Sequence, residues 1–257
     1  MKPGASKAIV GIGRVLLWSG GSLWIGHDAG SAQAHAHHAI QISIALTGRL
    51  RLRGDERDPW IEYRAAIIGP HHRHQFDGHG ETVAQFFVEP QTAQGRALWA
   101  RYGSAPIAAL PTDTIEALLA ELRAAFDGLR DDALIAIARR VLTTLCALEP
   151  AAPSVDPRIS RAIDVIRSRM KTSVSLAEAA AAAHLSPSRF RHLFVAQTGL
   201  SFRAYLLWAR VEAAVAAAMR GGSWTDAAQE WGFADSAHLS RTCRRMFGIA
   251  PTMLVRG

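Results

Sequence analysis

Ser175–Phe202, SLAEAAAAAHLSPSRFRHLFVAQTGLSF, is answered further along the chain by Ser223–Pro251, SWTDAAQEWGFADSAHLSRTCRRMFGIAP. Phe190 aligns with Leu239, Phe194 with Cys243 and Gly199 with Gly248, each at an offset of 49; upstream, Ala180 aligns with Ala228 and Leu185 with Phe233 at 48. One copy therefore carries an extra residue in its turn. Two units are too few for a solenoid, which needs at least three to bury a core.

Each copy reads as a short Ala-rich helix, a tight turn and a second helix with a polar, basic face, the pattern of a helix-turn-helix. Ser186-Pro187 punctuates the first turn; in the second, Gly232 ends a helix and Asp235 or Ser236 caps the next. Phe190, Leu193 and Phe194, and then Leu239, Cys243 and Phe247, recur at three- and four-residue spacing and are expected in the core. The residues left outward are Ser188, Arg191 and His192 in one copy and Ser236, His238, Arg241 and Arg245 in the other. Arg bonds guanine O6 and N7 bidentately, and Ser and His offer adaptable hydrogen bonds to base edges or phosphates. Between the copies, Ser201–Arg220 is a continuous helical pattern closed by Gly221-Gly222. At 1.5 Å per residue it spans about 30 Å, close to the ~34 Å turn of duplex DNA. It is read as a rigid spacer holding two reading helices over successive major-groove segments.

These stretches resemble the AraC/XylS-type transcription regulators. The carriers are GFADSAHLSR (Gly232–Arg241), RRMFGIAP (Arg244–Pro251), LSPSRFRHLF (Leu185–Phe194) and TGLSF (Thr198–Phe202). Position by position, the resemblance implies base contacts from Ser188, Arg191, His192, Ser236, Ala237, His238 and Arg241. Cys243 stands where the family usually has Phe.

Charge distribution points the same way. The chain carries 29 Lys and Arg against 22 Asp and Glu, a formal +7; from Val155 onward the counts are 14 against 7, and before it they balance. The excess lies on the repeat, as expected if that part meets phosphates. A membrane surface is disfavoured as partner because no basic amphipathic helix with an aromatic face occurs, and no apolar run approaches the ~20 residues of a membrane span. The start, MKPGASKAIVGIGRVLLWSGG, imitates a signal peptide but is interrupted by Gly11, Gly13 and Arg14, so a cytoplasmic location is expected. Cys146 and Cys243 both fall in apolar-periodic stretches and are read as buried thiols, not a disulfide or metal pair.

Before about Glu89 the chain reads as short strands split by turns, at 14–18, 22–27, 40–46, 49–53, 60–68 and 82–88. In one of them Ile40, Ile42, Ile44 and Leu46 share a face, while His35, His37, Gln41, Ser43 and Ala45 share the other. His35, His37, Gln41 and Gly48, followed by the turn Pro70–His74, resemble the cupin β-barrel. The resemblance implies a divalent transition metal held by His35, His37, Gln41 and His74. Gln in the position of the usual Glu keeps an oxygen donor without its charge, and neutral imidazoles suit Zn, Ni, Cu or Fe(II). The alternative is a polar face that meets solvent or lines a small-molecule pocket. His27, His38 and His79 are read as structural or solvated.

From Pro106 to Pro150 the period changes. Asp113 with Glu116 looks like a capping box, followed by two apolar stripes: Ile115, Leu118, Leu119, Leu122, Phe126 and Leu129, then Leu134, Ile135, Ala138, Val141, Leu142, Leu145 and Leu148. These helices could pack on the barrel or on a second chain; the regulator resemblance favours dimerisation. Ala151–Ser154 is the expected boundary.

The expected architecture is therefore α+β: a cupin-like effector-sensing barrel (1–105), a helical dimerisation linker (106–152) and an all-α domain with two helix-turn-helix units (153–257). The function expected is a sequence-specific regulator that binds double-stranded DNA, acts as a homodimer, senses a small-molecule or metal effector, and has RNA polymerase as a possible further contact. The alternative is a metal-dependent cupin enzyme with an accessory helical domain. No carboxylate pair or nucleophile–base pair accompanies the histidines to support it. A third possibility, a non-specific DNA binder, would show salt dependence without sequence preference.

Overall fold

Strand β3 (Ile40–Ala45) is buried at all six positions, and this double burial organises the N-terminal half. Because side chains alternate along a strand, Ile40, Ile42 and Ile44 pack on one side with Leu119, Leu122, Leu134 and Leu142 of two covering helices. Ala45, on the other side, joins Ala66, Ile68, Val83, Leu50, Leu52 and Phe76 in a second cluster. Each fully buried Ile contributes on the order of 1.5–3 kcal/mol.

The computed structural model describes residues 11–28, 30–128, 130–146 and 155–256. Leu129 and Leu148 of the apolar stripes, the segment 151–154 and the first ten residues lie outside the described residues. β1 (Gly11–Trp18) and β2 (Gly21–His27) form a hairpin, turned by Gly20 at φ +88°. With β6 (Ala65–Ile68), β8 (Thr82–Val88), β9 (Ile107–Ala109) and β10 (Leu254–Arg256) they make a seven-stranded sheet in the order β10-β1-β2-β8-β3-β6-β9. A three-stranded sheet, β5 (Ile61–Tyr63), β4 (Leu50–Arg53) and β7 (Gln75–Asp77), faces it across the second cluster. The run expected as one strand at 60–68 is two, because β5 pairs with β4 in one sheet and β6 with β3 in the other. The chain changes sheets at Arg64.

Three helices follow or interrupt the strands: α1 (Ala93–Tyr102), α2 (Glu116–Asp127) and α3 (Asp131–Cys146). The apolar stripes of α2 and α3 are spent on the sheet within this one chain. The capping box expected at Asp113 is not formed. Ile115, wholly buried, takes the N-cap position without a side-chain cap bond, so core packing sets the helix start. β9, which lies in the span expected to be helical, pairs with β6 at a sheet edge.

The C-terminal half is helical: α4 (Pro157–Arg169), α5 (Leu176–Ala182), α6 (Pro187–Thr198), α7 (Phe202–Met219), α8 (Trp224–Glu230) and α9 (Ser236–Phe247). Thirteen of the eighteen residues of α7 are buried, so the helix that joins the two units is also part of the core. It is a central helix whose Trp208, Val211 and Val215 share a core with Val15, Trp24 and Phe87 of the sheet. The chain then returns to its beginning: β10 adds to β1 in parallel, Gly11 opposite Leu254 and Gly13 opposite Arg256.

Candidate nucleic-acid interface and histidine cluster

The two repeats fold alike. In the first, Ser175 and Glu178 form a reciprocal capping box at the start of α5. Ser186 then caps α6 with Pro187 in its first turn. In the second, Gly232 at φ +78° follows α8, and the Asp235 carboxylate accepts the His238 N–H at 2.6 Å to start α9. Both second helices end on a left-handed glycine, Gly199 (φ +73°) and Gly248 (φ +70°). The turn between α8 and α9 is one residue longer than that between α5 and α6, which accounts for the change of offset.

Phe190 and Phe194 of α6, and Leu239, Cys243 and Phe247 of α9, are buried as their spacing requires. Burial pushes the Cys243 thiol up to about 12, so it is an inert core residue; Cys146 is only partly buried. Ser188, Arg191 and His192 are exposed on α6. On α9, Ala237, Arg241 and Arg245 are exposed, while Ser236 and His238 are half-buried. His238 has a structural task besides: its Nδ1 accepts the Ala234 N–H at 3.4 Å, and its ring stands edge-on to Phe233 at 5.2 Å. Among the described residues no salt bridge engages Arg189, Arg191, Arg241, Arg244 or Arg245. Val195, two helical turns beyond Ser188, is 42% exposed on the same face and offers apolar contact of the kind that suits a thymine methyl. Sequence reasoning passed it over because an apolar residue on a periodic helix counts as core.

The histidines named from the sequence converge. His35, His37 and His74 are each at most 5% exposed, and one ring nitrogen from each lies within 4.8 Å of the others. Each Nδ1 faces a backbone carbonyl: His35 to Gln33 at 2.8 Å, His37 to Ala39 at 3.0 Å and His74 to His72 at 2.9 Å. A carbonyl only accepts, so the proton resides on Nδ1 and Nε2 carries the lone pair. Gln41 Oε1 lies 2.8 Å from His37 Nε2 and 3.1 Å from His74 Nε2, and the Gln41 amide donates to Ser43 Oγ at 2.8 Å. An acceptor oxygen between two lone pairs is relieved either by a cation or by the amide turning its NH2 to the rings. Burial, with the neighbouring imidazoles adding to it for His37 and His74, lowers all three pKa values: His35 to about 4, His37 to about 3, His74 well below its usual value. All three are neutral at physiological pH, the form that binds metal. Three imidazole nitrogens held by carbonyls, with an amide oxygen beside them, fit a divalent transition metal in donor type and in orientation. His38 is apart from the set, buried and 3.2 Å from Gln91 Oε1.

This cluster sits where the two halves of the chain meet. Beside it is a cavity of about 90 Å³, walled by Trp24, Phe76 and Phe87 from the sheets, by Phe247 and Leu254 from the C-terminal half, and by His35 and Gln41. Phe247 lies 4.6 Å from Trp24 and 5.4 Å from Trp208, ring to ring. Further along the seam Arg167 pairs with Glu89, the Tyr205 hydroxyl donates to Glu89 at 3.1 Å, and Ser22 donates to Glu212 at 2.9 Å. Sequence reasoning missed this seam. Its one signal was Glu212, the lone acid in a predominantly apolar helix.

Residues 179–257 match the family model described as a helix-turn-helix domain. The uncharacterized HTH-type transcriptional regulator YidL of Escherichia coli (strain K12) is 26% identical over 142 residues, covering 54% of this chain and 48% of YidL. The chain thus spans about half the length of this curated relative. Among solved structures, an apo form of a ToxT variant from Vibrio cholerae strain SCE256 is similar at a TM-score of 0.54, with 10% identity over 97% of both chains. Wild-type ToxT from the same strain, bound to an unsaturated fatty acid, gives 0.52 with 11% identity over 97% of this chain and 95% of that one. These two likenesses show a shared fold spanning both halves. Among the described residues no helix is long and apolar enough to cross a membrane. Residues 179–257 are thus a helix-turn-helix domain by their family match, within a chain similar over about half its length to an HTH-type transcriptional regulator.

Proposed function

We propose that the chain is a sequence-specific transcription regulator that reads two major-groove segments of duplex DNA, with α6 and α9, under the control of an effector bound in its β-domain. The observation that carries this reading is the division of labour on α6 and α9. One face of each helix is committed to core, and the other presents arginines that, among the described residues, engage in no salt bridge. Ser188, Arg191 and His192 on α6, and Ser236, Ala237, His238, Arg241 and Arg245 on α9, are the DNA contacts, joined by Val195. The helical half is then the reader and not an accessory to a cupin enzyme.

For the effector, two chemistries are in play. ToxT, which shares the fold, binds an unsaturated fatty acid, and this supports a small organic effector. The cavity here, about 90 Å³, is below the ~300–1,000 Å³ of ordinary small-molecule pockets. The metal reading is therefore favoured, with His35, His37, His74 and Gln41 as ligands; when bound, the ion supplies a fixed positive charge and four-way cross-link at the junction of the two halves. A homodimer would place four reading helices on one operator. The outward faces of α2, with Ala117, Ala120 and Ala124, and of α3, with Ala136, among charged residues, are the surface proposed for it. Action in the cytoplasm, at promoters where RNA polymerase is within reach, completes the reading.

Selection of bound duplexes from a random pool tests it. A defined motif is expected from the wild type and a relaxed one from Arg241→Ala; recovery of unselected sequence contradicts the proposal. Metal analysis of the purified chain, with His37→Ala alongside, separates the two effector chemistries.

A further inference from the structure

Gly199 and Gly248 are equivalent positions of the repeat, with nearly the same backbone, yet their surroundings differ. A methyl group on Gly199 would meet only His71 Nε2, at 3.8 Å. One on Gly248 would collide with the Gln33 carbonyl and stand 2.6 Å from His35 Nδ1. The end of α9, unlike the end of α6, is pressed onto the histidine cluster. A chain of hydrogen bonds joins the two: the Gln33 N–H donates to Gly248 O at 2.9 Å, and Gln33 O lies 2.8 Å from His35 Nδ1. Phe247 adds its ring, 6.3 Å from that of His37.

We infer that the C-terminal end of the second reading helix is a wall of the metal site, so that a divalent transition metal on His35, His37 and His74 and the seating of α9 are reciprocally linked. This rests on reading the cluster as a metal site. A metal-bound imidazole is held by what its other nitrogen bonds to, and for His35 that group is the Gln33 carbonyl, on the residue whose N–H holds Gly248. Freeing α9 loosens Gln33, and with it the aim of His35 Nε2. By linkage, a bound ion must in turn hold α9 to the sheet by the same factor. The first reading unit approaches this region at Gly199, beside His71, whose N–H donates to the His37 carbonyl at 2.7 Å; that tie is less direct than the one at Gly248, so the metal acts chiefly on the second unit.

The test uses the full chain, stripped with a chelator and titrated with Zn²⁺. The wild type is expected to take up one ion per chain. Gly248→Ala is expected to weaken Zn²⁺ binding tenfold or more, and Gly199→Ala, which imposes the same left-handed strain with no collision against Gln33 or His35, to change it less than twofold. Phe247→Leu, which leaves the glycine intact, is expected to weaken binding severalfold and serves where Gly248→Ala does not fold. Zn²⁺ should also slow amide hydrogen exchange at Gly248 and Ile249 at least tenfold and leave Gly199 and Leu200 unchanged. Equal effects of the two glycine variants, or uniform protection by Zn²⁺, overturn the link while leaving the metal site standing. No uptake by the wild type overturns the metal site itself and the link with it.

Discussion

Ser22 donates its hydroxyl proton to Glu212 Oε1 across 2.9 Å, tying β2 to the middle of α7. Burial pushes the Glu212 carboxyl up to about 7; Arg167 pulls it down and Glu89 pushes it up, with burial the larger effect. A folded-state value above the ordinary 4.5 means that the native chain holds this proton where the unfolded chain has released it. The stabilisation is full below about pH 4.5 and is lost as pH rises through 7. On the order of 3 kcal/mol should disappear across that window, at ~1.4 kcal/mol per pH unit. Glu212→Gln should flatten this part of the stability–pH curve in denaturant titrations. A slope unchanged by the substitution assigns the effect elsewhere.

Arg191 and Arg241 are expected to read bases. Replacing either with Ala should cost about 1–3 kcal/mol against the preferred site and remove discrimination at one base position. Competition with single-base-pair variants measures this. A loss equal on every sequence would reassign the side chain to a phosphate.

Arg244, exposed in the last turn of α9, should behave in that second way. Arg244→Ala is expected to weaken binding to all duplexes alike and to lower the salt slope by about 1. Titration at several salt concentrations decides it.

The two candidate capping boxes should part company. Ser175→Ala removes a cap that is formed and should cost about 1 kcal/mol, whereas Asp113→Ala removes none and should be near neutral. Chemical denaturation of both variants, on one day and in one buffer, suffices.

That contrast shows what was legible in the sequence. Local chemistry read well: Ser186-Pro187 and Asp235 start helices, and Gly232 follows the end of one, through their own backbone and side-chain groups. The alternation at Ile40–Ala45 also held, since period two is a property of the strand alone. The residues that failed depend on distant partners. Asp113 lost its cap to the burial of Ile115. β7, β9 and β10 are three residues each, too short to carry a period, and exist because β4, β6 and β1 offer them an edge. α7 has the length of a spacer, but that it also packs on the sheet depends on partners far away in the chain. The histidines were found by motif, but that Gly248 closes over them depends on a contact between residues more than two hundred positions apart.

Footprinting on a selected duplex is the decisive measurement. Two protected major-groove segments are expected on one face, about one helical turn apart, with Arg191→Ala lifting protection at one and Arg241→Ala at the other. A single protected segment, or two that both substitutions weaken equally, would contradict a reader built from two separately aimed helices.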